Sequence, residues 1–260
     1  MSSYKTPQET AKAIADTGGI KDKSPVINTI ILAILAGAYV AFGGMLAQMS
    51  VTGMADAGYP IGLIRLIYGA VFPVGLIIVL IAGSELFTGN TMYMTFGILE
   101  KKASITSLIR NWSLSWIFNF VGAIFVGFVL VYLAGMMGDA LYSEGVITLA
   151  SKKVALSWDQ SFLRGIGCNW LVCLAVYLAF AAEDIISKIF AIWFPIMAFA
   201  AIGFEHCVAN MFYLPLAIFL GGDITVMDMF NNLIPVTLGN IVGGAIFVAV
   251  IYWFVYLRRK

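Results

Sequence analysis

From about residue 24 onward the chain alternates long apolar stretches with short polar ones. Six stretches are long enough to cross a bilayer as helices, at about 20 residues per crossing. They run from about 27 to 49, 66 to 96, 112 to 136, 162 to 181, 186 to 220 and 233 to 256. The second and fifth exceed one simple crossing, and each contains a glycine-flanked polar break. Non-helical backbone at membrane depth is tolerated only where protein or a cavity surrounds it. The two breaks align without a gap. Gly83-Ser84-Glu85-Leu86-Phe87-Thr88-Gly89-Asn90 matches Gly203-Phe204-Glu205-His206-Cys207-Val208-Ala209-Asn210 at Gly, Glu and Asn. Residues 119–126 also resemble 240–248 with one insertion. Three spans per copy force opposite topologies on the two copies. The pattern therefore predicts an all-α membrane protein with six transmembrane helices. Its inverted 3+3 repeat has broken helices two and five, and its binding site lies near the midplane. Each break is expected to present a half-helix N-terminus, whose dipole favours a small anion over a cation. Gly239, Gly243, Gly244 and Ala245 suit close packing of span six.

Lys and Arg placement sets the orientation. Lys5, Lys12, Lys21 and Lys23 precede span one, Lys101, Lys102 and Arg110 follow span two, and Arg258-Arg259-Lys260 end the chain. These are expected to be cytoplasmic, which places both termini inside a multi-pass protein of the plasma membrane. Lys152 and Lys153, after span three, run against that pattern. Residues 1–24 are polar and form no signal peptide. Thr6 and Glu9 make a capping box with Pro7 at the first helical position, and Gly18-Gly19 are expected to end that helix. Ala11, Ile14 and Ala15 give it a thin apolar face. A cytoplasmic amphipathic helix over 1–24, lying on the membrane or the bundle, thus precedes a channel domain over 25–260.

Composition agrees: 61% of residues are hydrophobic and 11% charged, against about 25% charged in soluble domains. A net charge of +1 gives no case for a nucleic-acid partner. Cys168, Cys173 and Cys207 fall in apolar segments and read as small buried hydrophobes. No P-loop argues for a primary pump. One histidine cannot supply bis-histidine haem ligation, and no metal-ligand cluster is visible, so a redox anchor is disfavoured. No cofactor, metal or enzymatic role is expected. Neither break contains Asn-Pro-Ala, which argues against a water or glycerol channel.

Glu85 and Glu205 read as caps of the broken helices, accepting backbone N–H bonds, ahead of a proton relay. Asn90 and Asn210 read as amides that stabilise the loops. His206 is an ionisable residue inside a break, which favours a pore role. It is expected to offer a passing anion a hydrogen bond or a proton. Thr88 fits a helix cap or a solute ligand. On residue type alone Lys152 and Lys153 are solvated charges, and Leu86, Phe87 and Phe199 are packing.

Four segments carry a resemblance to a known family. They are Glu85-Leu86-Phe87-Thr88-Gly89, the run 165–176 around Asn169, the segment 204–212 around His206, and the run 232–240 ending at Asn240. Together they resemble the formate–nitrite transporter family, in its motif order, from about Ser24 to the C-terminus. The resemblance implies a homopentamer of aquaporin-like protomers, each with its own pore for formate, nitrite, hydrosulfide or a related monovalent anion. It makes His206 the central pore histidine, Thr88 the threonine of the mobile loop, and Lys153 the vestibule lysine, with Lys152 a less favoured register. Leu86 and Phe199 correspond to the external constriction, with Phe87 beside them, and Asn169 and Asn240 flank the pore. The loop at about 221–231 is shorter than in enterobacterial formate channels. Passive or proton-linked formate passage is the expected function, with nitrite or hydrosulfide as alternatives.

Overall fold

The computed structural model describes residues 4–258, so the expected basic end at Arg259 and Lys260 lies outside the described residues. Helix α1 covers Pro7–Asp22 and α2 Val26–Val51. Next, α3 (Ile61–Val71), α4 (Val74–Ile78) and a π-helical turn Val79–Gly83 form one span. After the first break comes α5 (Phe87–Leu99). Helix α6 (Ile105–Ile124) continues as the π-helical Phe125–Leu133, and α7 (Ala140–Val154) and α8 (Trp158–Ala181) follow. Helix α9 (Ile185–Ile202) leads to the second break and α10 (Cys207–Phe219). Finally α11 (Val226–Ile241) passes through the π-helical Val242–Val250 into α12 (Ile251–Tyr256). Six of these helical runs are long and apolar enough to cross a membrane.

Helix α1 begins as its capping box predicts, with Thr6 and Glu9 bonded reciprocally. It does not end at Gly18-Gly19 but runs on to Asp22. The glycine serves packing instead: a Cβ on Gly18 would lie 2.3 Å from the Tyr93 carbonyl oxygen, so its absence lets α1 seat on α5. Ala11, Ile14 and Ala15 are fully buried in that seat, and α1 also packs on α8 and α12. The N- and C-terminal helices thus share one face, here the terminal face.

The segment carrying Lys152 and Lys153 is not a loop. Asp139 caps it by accepting the Leu141 N–H, and it forms α7 on the opposite face. Span two starts earlier than its apolar run suggests, at Ile61 after Pro60, because Arg65 lies within the helix. A Thr225–Asp228 capping box likewise starts α11 at Val226, well inside the stretch read as loop.

Helices α2 and α6 form the main packed pair of the first half, and α8 and α11 that of the second. Span six packs as its small residues predict: a Cβ on Gly244 would lie 2.1 Å from Thr91 Oγ1 and 2.7 Å from Asn169 Nδ2. The spans Ile61–Gly83 and Ile185–Ile202 are the least buried of the six. They carry outward-facing Leu66, Phe190 and Phe194.

Candidate permeation site

Both breaks start at a left-handed glycine, Gly83 at φ 81° and Gly203 at φ 87°, a conformation that costs glycine nothing. The chain then reverses through Ser84–Leu86 and Phe204–His206 before α5 and α10 begin. One asparagine staples each reversal. Asn119 Nδ2 donates to the Ala33 and Glu85 carbonyls, and its Oδ1 accepts the Phe87 N–H. Asn240 Nδ2 donates to the Gly165 and Glu205 carbonyls, and its Oδ1 accepts the Cys207 N–H. Identical bonding at repeat-matched positions is the inverted repeat expressed in hydrogen bonds.

The carboxylates do not cap backbone N–H groups as their sequence positions suggest, because the asparagines have taken that task. Glu85 instead binds Lys21 Nζ at 2.6 Å and Asn90 Nδ2 at 2.8 Å, with Asn111 Nδ2 at 3.4 Å. Glu205 binds Lys153 Nζ at 3.0 and 3.1 Å and Asn210 Nδ2 at 2.7 Å. Asn210 also donates to Asn232 Oδ1, and Asn232 donates to the Lys153 carbonyl. Lys21 ends α1 as Lys153 ends α7, and each ammonium sits over a tyrosine ring, Tyr93 or Tyr213. Burial of both carboxylates is tolerable because each is ion-paired and amide-bonded.

Helices α5 and α10 run apart from the centre. Glu100, at the end of α5, accepts from Trp253 Nε1 on the terminal face, whereas α10 ends beside α7. Their first turns meet at Thr88 Oγ1 and His206 Nε2, 3.1 Å apart and fully inside the protein. His206 is also the N-cap of α10: its Nδ1 accepts the Ala209 N–H at 3.1 Å. A neutral ring with Nδ1 as acceptor carries its proton on Nε2. His206 therefore donates to Thr88, and the Thr88 hydroxyl hydrogen remains available to a third group. Asn169 Nδ2 supports this point by donating to the Thr88 carbonyl, Thr91 Oγ1 and the Asn240 carbonyl.

A cavity of about 730 Å³ opens from the terminal face and reaches Leu86 and Asn90. Beyond Leu86 lies a void of about 10 Å³, room for at most one water. Leu86, Phe72, Ile196, Phe199 and His206 line it. The Phe199 ring stacks on the His206 ring at 5.9 Å and meets Phe72 edge-on at 5.6 Å. Leu86, Phe199, Thr88 and His206 are thus gathered at one narrow point, with Leu86 closing the terminal-face cavity rather than standing on the side away from the termini as the family resemblance implies. Phe87 does not join them; its ring packs against Trp112 and lines neither cavity. Lys153 reaches Glu205, whereas Lys152 is exposed.

Sequence reasoning missed Lys21, Asn111, Asn119, Asn232 and Phe72 as parts of this site. The match of 119 to 240 in the repeat was the usable signal for Asn119. Lys21 becomes visible once α7 is recognised as the counterpart of α1.

Six membrane-spanning helical runs, with two half-helices meeting at a hydrogen-bonded Thr–His pair behind an apolar constriction, define a membrane transport protein of the inverted-repeat class. Comparison narrows the class. The chain belongs to the formate/nitrite transporter family, whose model, described as "Formate/nitrite transporter", matches residues 8–254. The "Probable formate transporter" of Methanothermobacter thermautotrophicus is 57% identical, over 99% of this chain and 99% of that one. A solved structure described as "FNT family ion channel" superposes with a TM-score of 0.86 at 32% identity, covering 95% of this chain and 98% of its own. Another, described as "Pentameric formate channel with formate bound", gives 0.79 at 33% identity, covering 90% and 98%.

Proposed function

We propose that this protein is a homopentameric channel for formate, passive or proton-linked, with one pore in each protomer. The Thr88–His206 contact at 3.1 Å, behind the Leu86–Phe199 constriction, carries the reading. Formate is the choice because relatives along the whole chain bear that name. Pentamer formation agrees with the little-buried second and fifth spans, whose apolar faces need lipid or neighbouring subunits to cover them. The concentration of Lys and Arg on the terminal face supports reading that face as cytoplasmic.

Formate reaches the constriction through a vestibule and loses its water there. A bare carboxylate in an apolar passage costs many kcal/mol, so the anion crosses as formic acid, after taking a proton. His206 is poorly placed to supply that proton. Its Nε2–H is bonded to Thr88, and its Nδ1 has no room for another proton while Ala209 N–H donates to it. The proton therefore comes from the bulk solution as hydronium through the vestibule water, which balances as formate plus hydronium giving formic acid and water. The Thr88 hydroxyl, oriented by the His206 Nε2–H it accepts, is the fixed donor that holds a solute oxygen at the narrowest point. Asn169 and Asn240 position them rather than touch the solute.

His206→Asn tests this assignment. Asparagine is a good N-cap, so the Ala209 N–H keeps an acceptor while the donor that reaches Thr88 is lost. The pentamer should persist, with formate flux about three- to tenfold lower, as expected for the loss of one hydrogen bond between neutral groups. Unchanged flux in the folded variant would remove His206 from the pathway.

A further inference from the structure

The vestibule on the terminal face is lined by four charged side chains, the cations Lys5, Lys21 and Lys188 and the anion Asp16. Three of them are already neutralised. Lys5 lies 3.7 Å from Glu183, Lys21 2.6 Å from Glu85, and Asp16 2.6 Å from Lys102. Lys188 differs. Its ammonium has no carboxylate or hydrogen-bond partner among the described residues, yet the residue is half-buried and lines the cavity. It also stands in the first turn of α9, where a helix disfavours a cation. A charge placed against local preference, unpaired and facing a cavity, calls for a ligand.

On the opposite face the arrangement is different. Lys153 is clamped by both oxygens of Glu205. Tyr68, the residue as far ahead of Gly83 as Lys188 is ahead of Gly203, carries no charge there. Its hydroxyl bonds Tyr213, which donates to the Gly44 carbonyl.

We infer that Lys188 is an anion-capture site in the terminal-face vestibule, giving the channel a lower half-saturation concentration for small monovalent carboxylates on that face than on the other. This rests on the channel reading proposed above. Its ligand chemistry is one carboxylate or comparable monovalent anion, held by a single ammonium with vestibule water completing the shell. The apolar walls, Leu76, Val176 and Ile192, focus the ammonium's field into the cavity. Anions gathered there wait beneath Leu86. Capture deepens a well on one side of the barrier and leaves the barrier top alone, so half-saturation concentration and maximal flux from that side fall together while their ratio stays fixed.

The test is formate flux in right-side-out and everted membrane vesicles, giving a half-saturation concentration for each face. Lys188→Gln should raise the terminal-face value about three- to tenfold, the effect of one charge a few ångströms away across a partly solvated vestibule. The opposite-face value should match the parent, the maximal flux from the terminal face should rise by the same factor as its half-saturation concentration, and Lys188→Arg should retain parental values. Added impermeant salt should raise the terminal-face value of the parent but not of Lys188→Gln, a response that a merely structural lysine does not produce. Equal shifts on both faces, or none in an active channel, overturn the inference alone. A parent that carries no formate overturns the channel reading and this inference with it.

Discussion

Removing Lys153 while leaving Glu205 in place tests the electrostatics of the second break. Glu205 is only 4% exposed, and its charge is balanced by Lys153 at 3.0 and 3.1 Å. Breaking a buried pair from one side costs about 3–5 kcal/mol, because the stranded charge has lost its compensation. Asn210 Nδ2 still donates to the carboxylate at 2.7 Å, so Lys153→Met should fall near the lower end, at about 3 kcal/mol. With about 2–4 °C lost per kcal/mol in a chain near this size, thermal unfolding of the detergent-solubilised protein should come about 6–12 °C earlier at a fixed scan rate. Lys153→Met with Glu205→Gln removes both charges and keeps the acceptor for Asn210. That double variant should recover most of the loss, giving a coupling of at least about 2 kcal/mol. A single variant that unfolds with the parent, or a double variant no better than the single, would refute the reasoning. The same cycle on Lys21 and Glu85 should behave alike, since that pair is equally enclosed and closer, at 2.6 Å.

Three more expectations follow from the geometry. Thr88→Val keeps shape but leaves the His206 Nε2–H without its acceptor and removes the hydroxyl offered to the solute; formate flux in proteoliposomes should drop at least about tenfold with assembly intact. Gly244→Ala should reduce the yield of folded protein, since its methyl would sit 2.1 Å from Thr91 Oγ1 and overpacking of this kind costs about 1–3 kcal/mol or more. Gly62→Ala, with nothing within 4 Å, should match the parent when both yields are read by size-exclusion chromatography. At the α1–α6 junction the Ser104 N–H, then the Ser107 hydroxyl, hold the Asp22 carboxyl below the usual carboxylate range. A depressed folded value means the clasp is fully present above the unfolded value of about 3.9 and fades only as pH falls through the folded one. Amide protection of α1 should therefore be equal at pH 7 and pH 5, and Asp22→Asn should lower it at both.

The breaks, the repeat and His206 were legible because each is a local departure from an apolar run, and such departures are costly in a membrane. The α1 start was legible from its capping box. What escaped depended on distance. Helix α7 has a moderate share of polar residues, so its span-length arithmetic looked like a loop until Asp139 was seen to cap it. Gly18 read as a helix end because its packing role depends on Tyr93, far away in sequence. Glu85 and Glu205 read as backbone caps because sequence shows the acceptor but not the competing asparagine on another helix. Lys153 was singled out by family resemblance alone. Its counterpart Lys21 had no such pointer, although the repeat makes the two equivalent in space.

The central claim is that formate crosses as the neutral acid past the Thr88–His206 pair. Its most direct test is stopped-flow formate uptake into proteoliposomes of the purified protein, with chloride as control, as external pH is stepped from 7 to 5. The account predicts rapid formate influx that accelerates with acidity, while chloride, the anion of a strong acid, stays outside. Formate influx that is indifferent to pH, chloride carried as fast as formate, or no anion flux through correctly inserted pentamers would contradict it.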